Sequence, residues 1–210
     1  MVNLILNFFL HPLAYIVPIA DRLNGWVYLI LFIWIFLETA YVIFSFLPGQ
    51  SVLFLTSTIA ASPRSNLNLF VLFVVFLAAA TVGSVVKFHR GEKLSEGSKI
   101  TQEIQASDQM EKTKDFFHRN EKSSLILSRF VPFLGLLVPI IAGNSDMSFH
   151  QFNKLNFLGA LLWVSACCFA GYYLGSTPFV QKYFTLIFFI LALLPVLTKQ
   201  LFRFFHTKKA

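Results

Sequence analysis

Long apolar runs alternate with short polar breaks along this chain, and the runs match the length that decides whether a helix can cross a bilayer. About 20 predominantly apolar residues span one. Four stretches come close: 25–47, 67–88, 154–175 and 179–198. The first ends at Pro48-Gly49-Gln50, after which residues 51–61 are apolar again but too few to span. Pro-Gly favours a turn, so residues 25–61 are expected to dip into the bilayer and double back as a re-entrant hairpin. Residues 124–143 are apolar yet contain Arg129, Pro132, Gly135 and Pro139. Two prolines there are expected to break the helical hydrogen-bond ladder twice. Non-helical backbone at membrane depth survives only where protein shields it or a watery cavity receives it. A second re-entrant hairpin over 124–143 follows.

Residues 1–24 form an apolar segment interrupted by His11, Pro12 and Pro18, expected to be amphipathic or partly embedded. It has no basic leading region and does not read as a cleaved signal peptide. Residues 89–123 are polar, with Ile100, Ile104, Ala106, Met110 and Phe117 giving a loose helical stripe. That pattern suits an amphipathic helix at a membrane surface or an ordinary solvated helix. Residues 199–210 are a basic tail.

Composition sharpens this picture. Of 210 residues, 56% are hydrophobic and 13% charged, against roughly a quarter charged in a soluble domain. Mean hydropathy is +0.68. Between residues 87 and 122 lie eight Lys/Arg and seven Asp/Glu; elsewhere there are nine basic residues and three acids, Asp21, Glu38 and Asp146. The net charge of +7 therefore comes from flanks and tail. Basic residues flanking apolar blocks fit the positive-inside bias rather than nucleic-acid binding. The tail is thus placed in the cytoplasm, and the loop near Lys154 and segment 89–123 with it. The two hairpins then enter from opposite faces, a pattern shared with inverted-repeat transporters. The expectation is an all-α integral membrane protein of transmembrane helices plus two opposed re-entrant helical hairpins, in one membrane domain over 25–198.

Few side chains carry chemistry. Glu38 is the only acid within an apolar span, and a carboxylate at that depth is costly unless paired or protonated. It reads as a proton-coupling or substrate-contacting group, or as a structural partner of a basic residue. Arg129 is the matching cation, with a planar fork suited to phosphate. It contacts an anionic headgroup or snorkels to the interface; a direct Glu38–Arg129 ion pair would serve both. Pro48, Gly49, Gln50, Pro132, Gly135, Pro139 and Gly143 mark the hairpin tips. Adjacent Cys167 and Cys168 point about 100° apart on a helix and read as small apolar residues. The 26 Phe residues read as lipid-facing bulk and core. The five histidines lack metal-ligand spacing, and no Gly-rich phosphate loop, CxxC pair or GxSxG elbow occurs. No enzyme activity, metal or cofactor is expected.

The breaker clusters carry a resemblance. Glu38-Thr39 through Phe46-Leu47-Pro48-Gly49-Gln50-Ser51, then Leu53-Phe54 and Ala60-Ala61, form the first stretch. Ser128-Arg129-Phe130-Val131-Pro132 and Val138-Pro139-Ile140-Ile141-Ala142-Gly143 form the second, continued by Met147, Phe152, Asn156, Gly159-Ala160, Trp163 and Gly171-Tyr172. Over residues 26–175 the chain resembles the DedA family of membrane proteins, also called the SNARE-associated or VTT-domain family. The resemblance implies facing re-entrant hairpins and movement of lipids. Bacterial members are linked to recycling undecaprenyl phosphate and moving phospholipid headgroups, often with dependence on the proton motive force; eukaryotic relatives are scramblases. Glu38 and Arg129 carry over.

Three positions depart from the family pattern: Gln50 stands where an acid usually follows Pro-Gly, Ser84 where Asp commonly follows a glycine, and Gly135 where a second Arg usually lies. The reading is a divergent member that moves a phosphorylated lipid, such as undecaprenyl phosphate or a phospholipid, across a bacterial cytoplasmic membrane. A non-transporting scaffold for envelope homeostasis is the alternative, and a small-solute transporter on the same fold is the third. Its partners are membrane lipids with an anionic phosphate-bearing headgroup, not nucleic acid, and homo-oligomerisation is compatible with it.

Overall fold

The computed structural model describes residues 22–23, 25–45, 47–63, 65–92, 113, 117–118, 120–131, 134–175 and 177. Among these there are helices and turns and no strand. The expected segment 1–24 apart from residues 22–23, most of 89–123, the span 179–198 and the tail 199–210 lie outside the described residues.

The first apolar run is not one helix. α1, Trp26–Ala40, has 15 residues. Tyr41 then turns extended, at φ −125° and ψ 128°, before a 3-10 turn over Val42–Phe44. Pro48 biases the residue before it away from helix, so the chain leaves helical geometry ahead of it. The Pro48 carbonyl accepts from the Val52 N–H at 3.1 Å and opens α2, Gly49–Ala60. At 1.5 Å per residue α1 and α2 reach roughly 22 and 18 Å, both short of a ~30 Å hydrocarbon core.

Among the described residues, two helices are long and apolar enough to cross: α3, Leu69–Glu92, and the stretch Phe149–Leu174. Asn68 caps α3, its Oδ1 accepting the Phe70 and Val71 N–H groups at 2.8 and 3.2 Å, the standard N-cap contact. Hydropathy placed the end of this span at 88, yet the helix continues to Glu92. Apolarity ends at the interface; backbone hydrogen bonding does not. For the same reason the later span, expected from 154, begins earlier. Ser148 starts α6, Phe149–Phe169, its carbonyl accepting from the Phe152 N–H at 3.0 Å. The helix then widens into a π turn, Ala170–Leu174. Both helices expose large apolar side chains, among them Phe70, Val74, Phe157, Leu158 and Leu162, as lipid contact requires and water does not tolerate.

Between these spans lie α4, Glu121–Leu127, a 3-10 turn, Ser128–Phe130, and α5, Leu134–Gly143. Pro132 lies outside the described residues. Pro139 corrects an expectation: it sits inside α5 rather than at a tip or break. Its missing N–H would have paired with the carbonyl of Gly135, in the first turn, so the helix loses one bond and continues.

The chain divides into two compact units, residues 1–31, 48–75 and 165–210, and residues 32–47 and 76–164. In the first, Thr58 on α2 donates through Oγ1 to the Phe54 and Gly171 carbonyls, both at 2.9 Å. The Tyr28 hydroxyl accepts from the Asn68 N–H at 2.9 Å. In the second, Phe88, Phe117, Leu125, Leu137, Val138, Ile141 and Phe152 pack into one core, with the Phe88 and Phe152 rings stacked at 4.3 Å. Phe117, from the stripe expected in the charged segment, is fully buried there.

α3 and α5 cross with almost no space between backbones. A Cβ on Gly143 would collide with the Phe88 carbonyl, and one on Gly91 with the Ile140 carbonyl. Neither neighbour is a side chain that can rotate away. Gly143→Ala and Gly91→Ala should each cost roughly 1–3 kcal/mol by overpacking, lowering the thermal unfolding midpoint in detergent. Gly25→Ala, with nothing within 4 Å of the added carbon, should not lower it. Equal behaviour of all three would contradict the close crossing.

Candidate functional site

The site lies within the second unit and begins with the face of α3. Ala80, Ser84 and Lys87 follow at i, i+4 and i+7, which stacks them along one side of a helix. Gly83, beside Ser84, lets the end of α1 approach: a Cβ there would come within 2.8 Å of the Thr39 Cβ. Glu38 is thereby brought next to α3, where its Oε2 accepts from the Thr39 hydroxyl at 3.1 Å.

Arg129 comes from the 3-10 turn between α4 and α5. The turn is closed by the Ser128 hydroxyl donating to the Leu125 carbonyl at 2.9 Å. One guanidinium nitrogen, Nη2, reaches the Ala80 carbonyl at 3.1 Å, the Ser84 hydroxyl at 2.9 Å and the Asn156 Oδ1 at 2.8 Å. Asn156, on α6 and buried, donates from Nδ2 to the Thr81 carbonyl at 3.1 Å. That second bond fixes which way its amide faces and leaves its oxygen for Arg129. Among the described residues the other guanidinium nitrogens have no hydrogen-bond partner.

Lys87 is 3% exposed, while Glu38 and Arg129 are half-buried. The three act on one another electrostatically. No direct Glu38–Arg129 ion pair forms; among the described residues the pair within 4 Å is His89–Glu92. The cluster thus holds two cations against one carboxylate. No group of His, Cys, Asp or Glu among the described residues could hold a metal ion.

Of the residues singled out in the sequence, Glu38 and Arg129 come together here. Gly135 packs beside the Arg129 turn, where a Cβ would lie 3.2 Å from the Ser128 carbonyl. Gly143 belongs to the α3–α5 crossing. Pro48, Gly49 and Gln50 open α2, and all three belong to the other unit. Lys87 was missed, because its position at the edge of the charged segment made it look like a solvated flank. Its spacing of three from Ser84 was the available signal.

The VTT domain family model matches residues 23–173, which include every residue of this cluster. The chain belongs to the VTT-domain family of membrane proteins, the DedA family. It is 34% identical to Protein DedA of Escherichia coli strain K12 over 183 residues, 86% of this chain and 84% of that one. It is 31% identical to the inner membrane protein YqjA of the same strain over 174 residues, covering 82% and 78%. An uncharacterized membrane protein of Mycobacterium tuberculosis, Rv0364, is 32% identical over 168 residues, 78% of this chain and 74% of that one. No solved structure matches. Membership in this family, with two helices able to cross, makes the chain a membrane protein.

In this family member Asn156 acts as a clamp on Arg129. Asn156→Leu removes one acceptor and the tie to Thr81, and should cost about 1–3 kcal/mol. Ser84→Ala should cost about 0.5–1.5 kcal/mol, since two acceptors remain. Thermal unfolding in detergent reads both; a neutral Asn156→Leu would remove the clamp.

Proposed function

We propose that this protein carries a phosphate-bearing lipid across the bacterial cytoplasmic membrane as a flippase or scramblase, without enzymatic chemistry. The observation that carries this reading is the make-up of the cluster: two basic side chains, buried Lys87 and half-buried Arg129, against one acid, half-buried Glu38. Unbalanced charge at that depth is costly, and an anionic headgroup restores the balance. Arg129 contributes an uncommitted side of its guanidinium, suited to the oxygens of a phosphate. Glu38 exchanges a proton or yields to the arriving anion, which ties transport to the proton gradient.

The short helices support a route for the headgroup. α1 with α2 and α4 with α5 are each pairs of sub-spanning helices separated by a break. We read them as two re-entrant hairpins entering from opposite faces, with lipid tails remaining in the bilayer. Undecaprenyl phosphate or a phospholipid is the substrate class, and the C-terminus faces the cytoplasm.

One observation favours a different reading. Arg129 is bonded to α3 and α6, as a purely structural arginine in a non-transporting scaffold would be. Complementation separates the two. In a strain depleted of its undecaprenyl-phosphate flippases, the wild type should restore growth, while Glu38→Gln and Arg129→Ala at equal membrane abundance should reduce rescue at least ~10-fold. That factor corresponds to losing one charge-assisted contact. Equal rescue by all three would retain lipid carriage and make both residues structural. No rescue by well-expressed wild type would favour the scaffold.

A further inference from the structure

We propose that Arg90 is a positioning residue for Glu38: stacked on Tyr41, it holds the last turn of α1 from the end of α3 and so fixes where that carboxyl group stands. The geometry stands by itself, and its bearing on transport rests on the carrier reading above.

Glu38 occupies the last turn of α1, which ends at Ala40. The carbonyls at a helix C-terminus carry partial negative charge, so a carboxylate there is repelled and a cation is favoured. α1 has no basic residue in that turn. The next residue, Tyr41, has already left helical geometry, and its N–H closes the turn onto the Leu37 carbonyl at 3.1 Å. A helix end that carries the wrong charge and meets a break at once frays unless something outside the helix holds it.

Arg90 supplies that hold from the neighbouring helix. Its guanidinium carbon lies 4.3 Å from the centre of the Tyr41 ring, within cation–π range. The same ring meets Phe36 of α1 edge-on at 6.5 Å and Phe44 of the 3-10 turn at 6.2 Å. Tyr41 thus gathers both sides of the break under one cation. Arg90 itself stands on fixed backbone, because Gly91, next in sequence, lies against the Ile140 carbonyl of α5. Earlier on α3, Gly83 admits Thr39. Glu38 is therefore bracketed by two contacts with α3, one through Thr39 and one through Tyr41. The second uses an exposed side chain, Arg90, and can be removed without disturbing backbone packing.

Dicyclohexylcarbodiimide, an apolar reagent that couples to protonated carboxyl groups, reads access to Glu38 in the full chain in phosphatidylcholine nanodiscs, with the Glu38 adduct quantified by mass spectrometry. Arg90→Gln should raise its labelling rate about 2- to 5-fold, the worth of one exposed cation–π contact. Tyr41→Leu, which leaves the Arg90 charge in place, should raise it as much, and the double variant no further. Tyr41→Phe keeps a ring and should stay near wild type. Lys154→Gln, which removes an exposed cation from α6, should stay there too. Tyr41→Met stands in if Tyr41→Leu does not fold. A rise in Arg90→Gln without one in Tyr41→Leu overturns the inference, because the Arg90 charge then acts at a distance and not through the stack. Additive rises in the double variant overturn it for the same reason. No difference among the variants, labelled or unlabelled, overturns it as well and leaves the carrier reading intact. The carrier reading falls separately, by failed complementation, with this labelling pattern preserved.

Discussion

A guanidinium withdrawn from water must be given acceptors, and the rest of the second unit is arranged around that requirement for Arg129. Its acceptors come from two helices: a carbonyl and a hydroxyl on α3, and the amide of Asn156 on α6. A residue on a regular helix cannot easily address both. Arg129 can because it sits in a 3-10 turn between α4 and α5, where the backbone is already released from the α-helical ladder. The break that looks like a defect in an apolar run is what aims the charge. In return, the bonds tie the broken segment to two helices long enough to cross the membrane.

The same requirement explains why close backbone contact recurs near the site. Gly83 admits Thr39, and with it Glu38, to the face of α3. Gly135 rests against the turn that carries Arg129. Where small residues let backbones approach, packing rather than hydrophobic force holds helices together in lipid. Side chains at these two positions would push the charged groups apart, so geometry and electrostatics here are set by the same residues.

Much of the architecture was legible in the sequence. Apolar length gave the two long helices, because lipid selects for that length directly. Their ends were displaced, since Asn68 and Ser148 fix where helices begin and hydropathy does not register a cap. Pro139 misled for a related reason: its missing N–H faces the carbonyl of Gly135 in the first turn of α5, so the helix loses a single bond, and sequence spacing alone does not show where that helix starts. Glu38 and Arg129 stood out as charges in apolar runs. Lys87 did not, because its place at the rim of a charged stretch is what a snorkelling lysine also has, and burial is a property of the fold. Asn156 gave a matching letter without a role until the Arg129 contact supplied one.

The family pattern leads one to expect two carboxylates, at 38 and 84, and two guanidiniums, at 129 and 135, within this unit. The chain keeps one of each, Glu38 and Arg129. Those two losses cancel in charge, so a cluster trimmed of function and left neutral would have been a consistent outcome. Lys87 makes it otherwise. Its side chain, 3% exposed, adds a second basic group to the remaining set. An apolar residue of the same size would pack at position 87 without the desolvation cost.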